Sequence, residues 1–226
     1  MIPDKIPTQA NPRSARQLLR SHRYGALGTL SKKFDGHPFA SITPYLVDHD
    51  GSLLLLISGL AEHTRNILGD SRVSLVTHNQ EAPQIQTQGR VTVVGHAVFD
   101  PDRERCGKRY LRYFPEAEPY FSMPDFSFFR IVPHALRYIG GFGDIHWITG
   151  AEYDVRGYTP VADEDTLLNQ INASRKTAQQ GLLIGIDCDG YDVRRDEKLV
   201  RHNFPSSPHD LAEVRHFLSQ HWGDPH

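Results

Sequence analysis

The residues best suited to chemistry in this 226-residue chain lie between Ser41 and Asn66. An apolar run, Leu53 to Ile57, ends on Ser58-Gly59, and His63, Thr64, Arg65 and Asn66 follow at helical spacing. A strand that ends on a hydroxyl and feeds a helix N-terminus suits a phosphate, because the first helical amides lack internal partners and the helix dipole favours an anion. Ser58 has the strongest physical case, since one hydroxyl can serve as N-cap and as anion donor. The His63 ring can donate to an anion oxygen, or it can cap or pack. Thr64 and Asn66 read as readily as local helix groups. No H-E-x-x-H pattern, cysteine cluster or nucleophile elbow is present, and no paired carboxylates stand out for acid/base work, so no metal site is expected.

The elements that position these residues follow from periodicity. Asn11-Pro12 opens a helix with Ala15, Leu18, Leu19 and His22 on one face, stopped at Gly25. Strand-like runs cover 25–31, 38–47, 53–58, 72–78, 84–99, 128–139 and 145–149, with a tight turn at Asp50-Gly51 and bends at Gly89 and Gly95. Short helices fall at Leu60–Leu68 and after Asp100-Pro101; the arginines of the second, Arg103, Arg105, Arg109 and Arg112, read as a solvated face. Tyr120 to Phe128 reads as an aromatic loop over a pocket or a subunit contact. About six antiparallel strands with inserted helices predict a small β-barrel over residues 12–150, preceded by a flexible lead-in over 1–11. No strand opens into a G-x-G-x-x-G helix, which disfavours a dinucleotide fold.

After Gly150 the texture changes. Residues 1–150 carry 17 Lys/Arg against 14 Asp/Glu, whereas 151–226 carry 8 against 13. A helix over Asp163–Gln180, strands near Leu182–Ile186, Tyr191–Arg194 and Lys198–Phe204, and a closing helix over Pro208–His221 predict a small α-β-β-β-α domain over 151–226. The formal charge of −2 excludes a generally basic nucleic-acid surface, and no apolar run is long enough to span a membrane. Cys106 and Cys188 read as free thiols, and the N-terminus lacks a basic-then-apolar signal pattern. The expectation is a cytoplasmic protein.

The order Ser41…Pro44…Asp50-Gly51…Ser58…His63-Thr64-Arg65-Asn66…Val73-Ser74-Leu75 resembles the pyridoxamine 5′-phosphate oxidase-like, FMN-binding split-barrel superfamily, in its haem-utilisation (HugZ/HutZ-like) branch. Gly140-Gly141-Phe142-Gly143 and the stretch Gly185 to Asp192 with Phe204-Pro205 extend the resemblance to about residues 12–220. It implies a mainly β fold, a six-stranded antiparallel split β-barrel of the FMN-binding type with a small C-terminal α+β domain. It also implies a homodimer with cofactor sites at the subunit interface. The FMN set it implies is Ser41, Thr43, Ser58, His63, Thr64, Arg65, Asn66, Gln86 and Arg90, in a flavin-dependent oxidoreductase of unspecified substrate. The family's phosphate-binding lysine has no counterpart here, so the charge must come from Arg65 or elsewhere.

The alternative within the same fold is a haem-binding or haem-degrading protein. One axial imidazole suffices for haem, and the C-terminal candidates are His209, His216 and His221, which otherwise read as surface histidines. A third reading is a binding or regulatory module that lost the cofactor. Relatives carry an H-M-N-x-D-H-like signature where this chain has Gln170-Ile171-Asn172-Ala173-Ser174-Arg175, and only the asparagine is retained.

Overall fold

The computed structural model describes residues 12–79, 88–141, 144–158, 161, 163–175, 177 and 180–222. The N-terminal lead-in, Gln86, Phe142 and Gly143 lie outside them, as does the side chain of His221.

The chain is mostly β. Helix α1 (Pro12–Arg20) precedes strands β1 (Tyr24–Leu30), β2 (Pro38–Pro44), β3 (Leu46–Val47) and β4 (Leu53–Ser58), then helix α2 (Glu62–Gly69) and strands β5 (Arg72–His78) and β6 (Arg90–Phe99). Helices α3 (Arg103–Tyr113) and α4 (Glu118–Phe121) lead to β7 (Phe126–Gly141), β8 (Asp144–Thr149) and α5 (Gly150–Tyr153). These strands form one antiparallel sheet in the order β2-β1-β5-β6-β7-β4-β3, with β8 also paired to β7. The sheet curls into an open half-barrel around a core that includes Leu27, Leu53, Leu55, Leu75, Val93, Ile131 and Leu136, all inaccessible to solvent.

The sheet has eight strands rather than the expected six. Pro44 ends β2, the Tyr45 amide turns to the Arg23 carbonyl, and the freed Leu46–Val47 pairs with β4 instead. Proline has no amide to continue a ladder, so a break at this position is physically expected. The bend expected at Gly95 is present as a register shift between Val94 and Gly95. A Cβ there would run into the Val132 carbonyl oxygen on the neighbouring strand. Gly95→Ala is therefore expected to cost about 1–3 kcal/mol, as for other overpacked sites, read as a lowered urea midpoint with an unchanged m-value.

A second sheet, β11-β10-β9, is built from β9 (Leu182–Asp187), β10 (Gly190–Arg195) and β11 (Lys198–Asn203). Helices α6 (Glu164–Ala173) and α7 (Leu211–Trp222) flank it in sequence, and its apolar cluster includes Leu167, Ile171, Ile186, Val193, Phe204, Val214 and Leu218. Asp163 caps α6 through the Thr166 amide, as its type suggests, but the helix ends at Ala173 rather than running to Gln180. Asn172 explains its own retention. Its amide group donates to the Leu183 carbonyl and accepts from the Leu183 amide, at 2.8 and 2.9 Å, so it holds the start of β9.

The arginines of α3 do not form one solvated face, although Arg105 stays exposed. Arg109 is buried and pairs with Glu164, Arg112 pairs with Glu164 and Asp165, and Arg105 reaches Asp48 and Asp100 at 3.2 Å each. Glu164 also accepts from the Ile186 amide at 2.8 Å. Burial pushes its carboxyl up, but Arg109, His49 and Arg112 outweigh this and hold it at about 2 instead of the ordinary 4.5. A carboxyl lowered on folding stabilises the folded state above its unfolded value and loses that contribution as pH falls through the folded one. Stability is thus expected to fall between about pH 4.5 and pH 2. Glu164→Gln should flatten that segment of the acid-unfolding curve; an unchanged slope would reject the assignment.

Candidate functional site

Helix α2 packs against β1 and β2 through its buried residues Thr64, Asn66 and Ile67. This packing brings His63 to Ser41: the Ser41 Oγ lies 3.1 Å from His63 Nδ1. The ring is half-buried, and among the described residues its Nε2 makes no hydrogen bond. Burial lowers the His63 pKa below the ordinary histidine value, which leaves a neutral imidazole at neutral pH. An imidazole fixed through one nitrogen with the other unengaged is the form that ligates a metal centre.

The remaining expected site residues separate. Ser58 is not the cap of α2, because the helix starts at Glu62 behind Ala61 and has no side-chain cap. The Ser58 hydroxyl instead donates to Asp125 Oδ2 at 2.7 Å and accepts from the Leu60 amide at 3.0 Å. A carboxylate at that distance opposes a phosphate. Thr43 is buried and its hydroxyl donates to the Pro44 carbonyl at 3.3 Å. Asn66 is fully buried, accepting from the Lys32 amide at 2.9 Å and donating to Thr29 Oγ1 at 3.0 Å, so it ties α2 to β1 and the turn after it. These two side chains build the fold and are not presented to a ligand.

Thr64 is 2% exposed, and its hydroxyl has no partner among the described residues. Arg65 is exposed and sits 4.0 Å from Glu62. Arg90 begins β6, separated from β2 by β1 and β5. His209 and His216 are exposed on the C-terminal unit, away from the half-barrel core.

Concave surface lies elsewhere in the single chain. A cavity of 360 Å³ is lined by Phe99, Phe121, Met123 and Phe128, and one of 580 Å³ by Asp50, Val132, His134 and Tyr153. The first uses the aromatic stretch expected to cover a pocket. Neither includes Ser41 or His63.

The sequence reasoning missed a buried charge network. Arg16 and Arg20 of α1 reach Asp189 and Asp187, while Arg201 pairs with Asp187 and Asp192. Arg23 lies 3.4 Å from Asp192, and the Tyr113 hydroxyl donates to Asp192 at 2.8 Å. Arginines at Arg13, Arg16, Arg20 and Arg23, each three or four residues apart, were a readable signal of one charged helix face.

An open, curled antiparallel sheet with helices packed on it defines the split β-barrel class. The solved structure of the Agrobacterium tumefaciens protein Atu2129, of unknown function, superposes with a TM-score of 0.78 over 96% of this chain and 99% of that one, at 25% identity. The CREG β-barrel family model matches residues 7–155, and the chain belongs to that family. The chloroplastic heme oxygenase HOZ of Arabidopsis thaliana is 28% identical over 224 residues, covering 88% of this chain and 69% of HOZ. The heme oxygenase HutZ of Vibrio cholerae is 26% identical over 125 residues, covering 51% of this chain and 69% of HutZ. Among the described residues, no helix is long and apolar enough to cross a membrane.

Proposed function

We propose that this protein binds haem and belongs functionally with the haem-degrading members of its fold. The observation that carries the reading is the similarity to a heme oxygenase over 88% of the chain. His63 supports it, as a neutral imidazole anchored at Nδ1 by Ser41. When bound, haem iron supplies the oxygen chemistry, and the protein supplies position and dielectric. His63 would offer Nε2 to the haem iron, and Ser41 would fix the ring. An FMN-dependent oxidoreductase has less support from the site, because Ser58 faces Asp125 and Arg65 faces Glu62.

We further propose a homodimer. The outer face of the sheet carries Ile42, Val94, Val132, Ile145 and Trp147, with Ile42 68% and Trp147 60% exposed. Across the strands Ala26, Gly28, Ser74, Val76 and Ala135 lie between them in register, together with the polar Thr92, His96 and Arg137. A sheet face with this much exposed apolar surface calls for a cover, and a second copy supplies one. Titration of haemin into the purified protein tests the function: a saturable Soret band at one haem per chain or per half-dimer is expected, and a flavin spectrum without haemin binding would reject it.

A further inference from the structure

A separate set of donor groups gathers on the β7–β8 hairpin. Tyr138 and His146 are cross-strand partners, and Gly141 opposes Asp144. Along β8, Ile145 and Trp147 are exposed, whereas Asp144, His146 and Ile148 alternate with them and turn to the face on which Leu136 and Tyr138 meet the core. Asp144 Oδ1 is 2.7 Å from His146 Nε2. Between these residues the hairpin bends: the register shifts after Ile139, and Gly141 takes a φ of 149°.

Gly140 shows how closely the groups converge. A Cβ at that position would overlap Asp144 Oδ2 and would lie 2.6 Å from the Tyr138 hydroxyl. The carboxylate and the phenol therefore crowd the same point above Gly140, where only glycine leaves room for both. The other oxygen of that carboxylate already touches the imidazole. Among the described residues no arginine or lysine forms a salt bridge with Asp144, whose close partner is His146.

We propose that Tyr138, Asp144 and His146 form a transition-metal site that favours ferric iron. Phenolate and carboxylate are hard oxygen donors and imidazole is a borderline nitrogen donor, a set suited to iron; the two cysteines of the chain lie outside it. Three protein donors leave further coordination positions to water, which makes the bound ion exchangeable. The choice of iron rests on the haem reading above, since opening the macrocycle releases iron; the donor set itself does not depend on it.

The experiment uses the full-length protein without haem, titrated with ferric nitrilotriacetate. Wild type is expected to develop a visible phenolate-to-iron charge-transfer band that Tyr138→Phe lacks. Asp144→Asn and His146→Gln should each weaken binding by at least the roughly tenfold that loss of even an outer-shell partner costs. Circular dichroism melts confirm that the variants fold. Absence of the band in wild type, or equal affinity in all three variants, overturns the site. Haemin titration of Tyr138→Phe separates the two readings, because this variant should retain the wild-type Soret band. A ferric band in a protein that binds no haemin upholds the site and removes only the assigned source of its iron.

Discussion

Asp189→Ala is expected to destabilise the fold by about 3–5 kcal/mol, the cost of leaving buried guanidinium charge without its counter-ion. Asp189 is inaccessible to solvent. It accepts from Arg16 Nε at 2.8 Å and Arg16 Nη2 at 3.1 Å, and from Arg20 Nη1 at 2.6 Å. Arg20 keeps other partners after the substitution, because Asp187 is 3.0 Å from its Nε and the Asp48 carbonyl 3.3 Å from its Nη2. Among the described residues Arg16 has no comparable second carboxylate, so most of the loss falls on it, with a smaller share on Arg13, 3.5 Å from Asp189. Urea unfolding followed by far-ultraviolet circular dichroism reads the effect.

The control is the double substitution Arg16→Met with Asp189→Leu. Removing both charges also removes the desolvation penalty, so the double variant should recover much of the loss. A loss below about 1 kcal/mol for Asp189→Ala would place this cluster with ordinary exposed ion pairs. The buried trio Asp187-Cys188-Asp189 has the spacing of a metal cluster. Its carboxylates are instead neutralised by Arg16, Arg20 and Arg201, which makes it a clamp between α1 and the second sheet.

His63→Ala is the second large expected effect. If His63 holds the haem iron, its removal should lower haemin affinity by more than about a hundredfold, and Ser41→Ala, which frees the ring but keeps the ligand, by about tenfold. The two should also differ in kind. His63→Ala should shift the Soret maximum and regain it with added imidazole, whereas Ser41→Ala should keep the wild-type maximum. Unaltered haemin spectra in His63→Ala would exclude this histidine, and the exposed His209 and His216 would then be the next positions to test.

Local chemistry made much of this molecule legible in advance. Prolines, glycines and period-two apolar runs delimit most of the strands, and Asp163 and Pro12 mark helix starts, because turns, caps and amphipathic faces depend on residues a few positions apart. The order of motifs from Ser41 to Leu75 was enough to indicate the split barrel. The split of β2 at Pro44 was readable in principle, but the partner of Leu46–Val47 was not.

Side-chain destinations were decided by the tertiary structure. Ser58 and Asn66 belong to one short stretch, in which Ser58 had the stronger case as a ligand and Asn66 read as readily as a local helix group. Packing sends Asn66 inward to Thr29 and Lys32, and sets Asp125, 67 residues away, against Ser58. The arginines of α3 looked solvated because a helix face of charges normally meets water. Arg109 is instead buried against Glu164 of α6, as Arg16 and Arg20 of α1 are against Asp189, while Arg105 stays exposed. Contacts between residues from 22 to 173 positions apart leave no periodic trace in a single sequence, and here they determine what the Ser58 hydroxyl, the His63 imidazole and the Arg16 guanidinium meet.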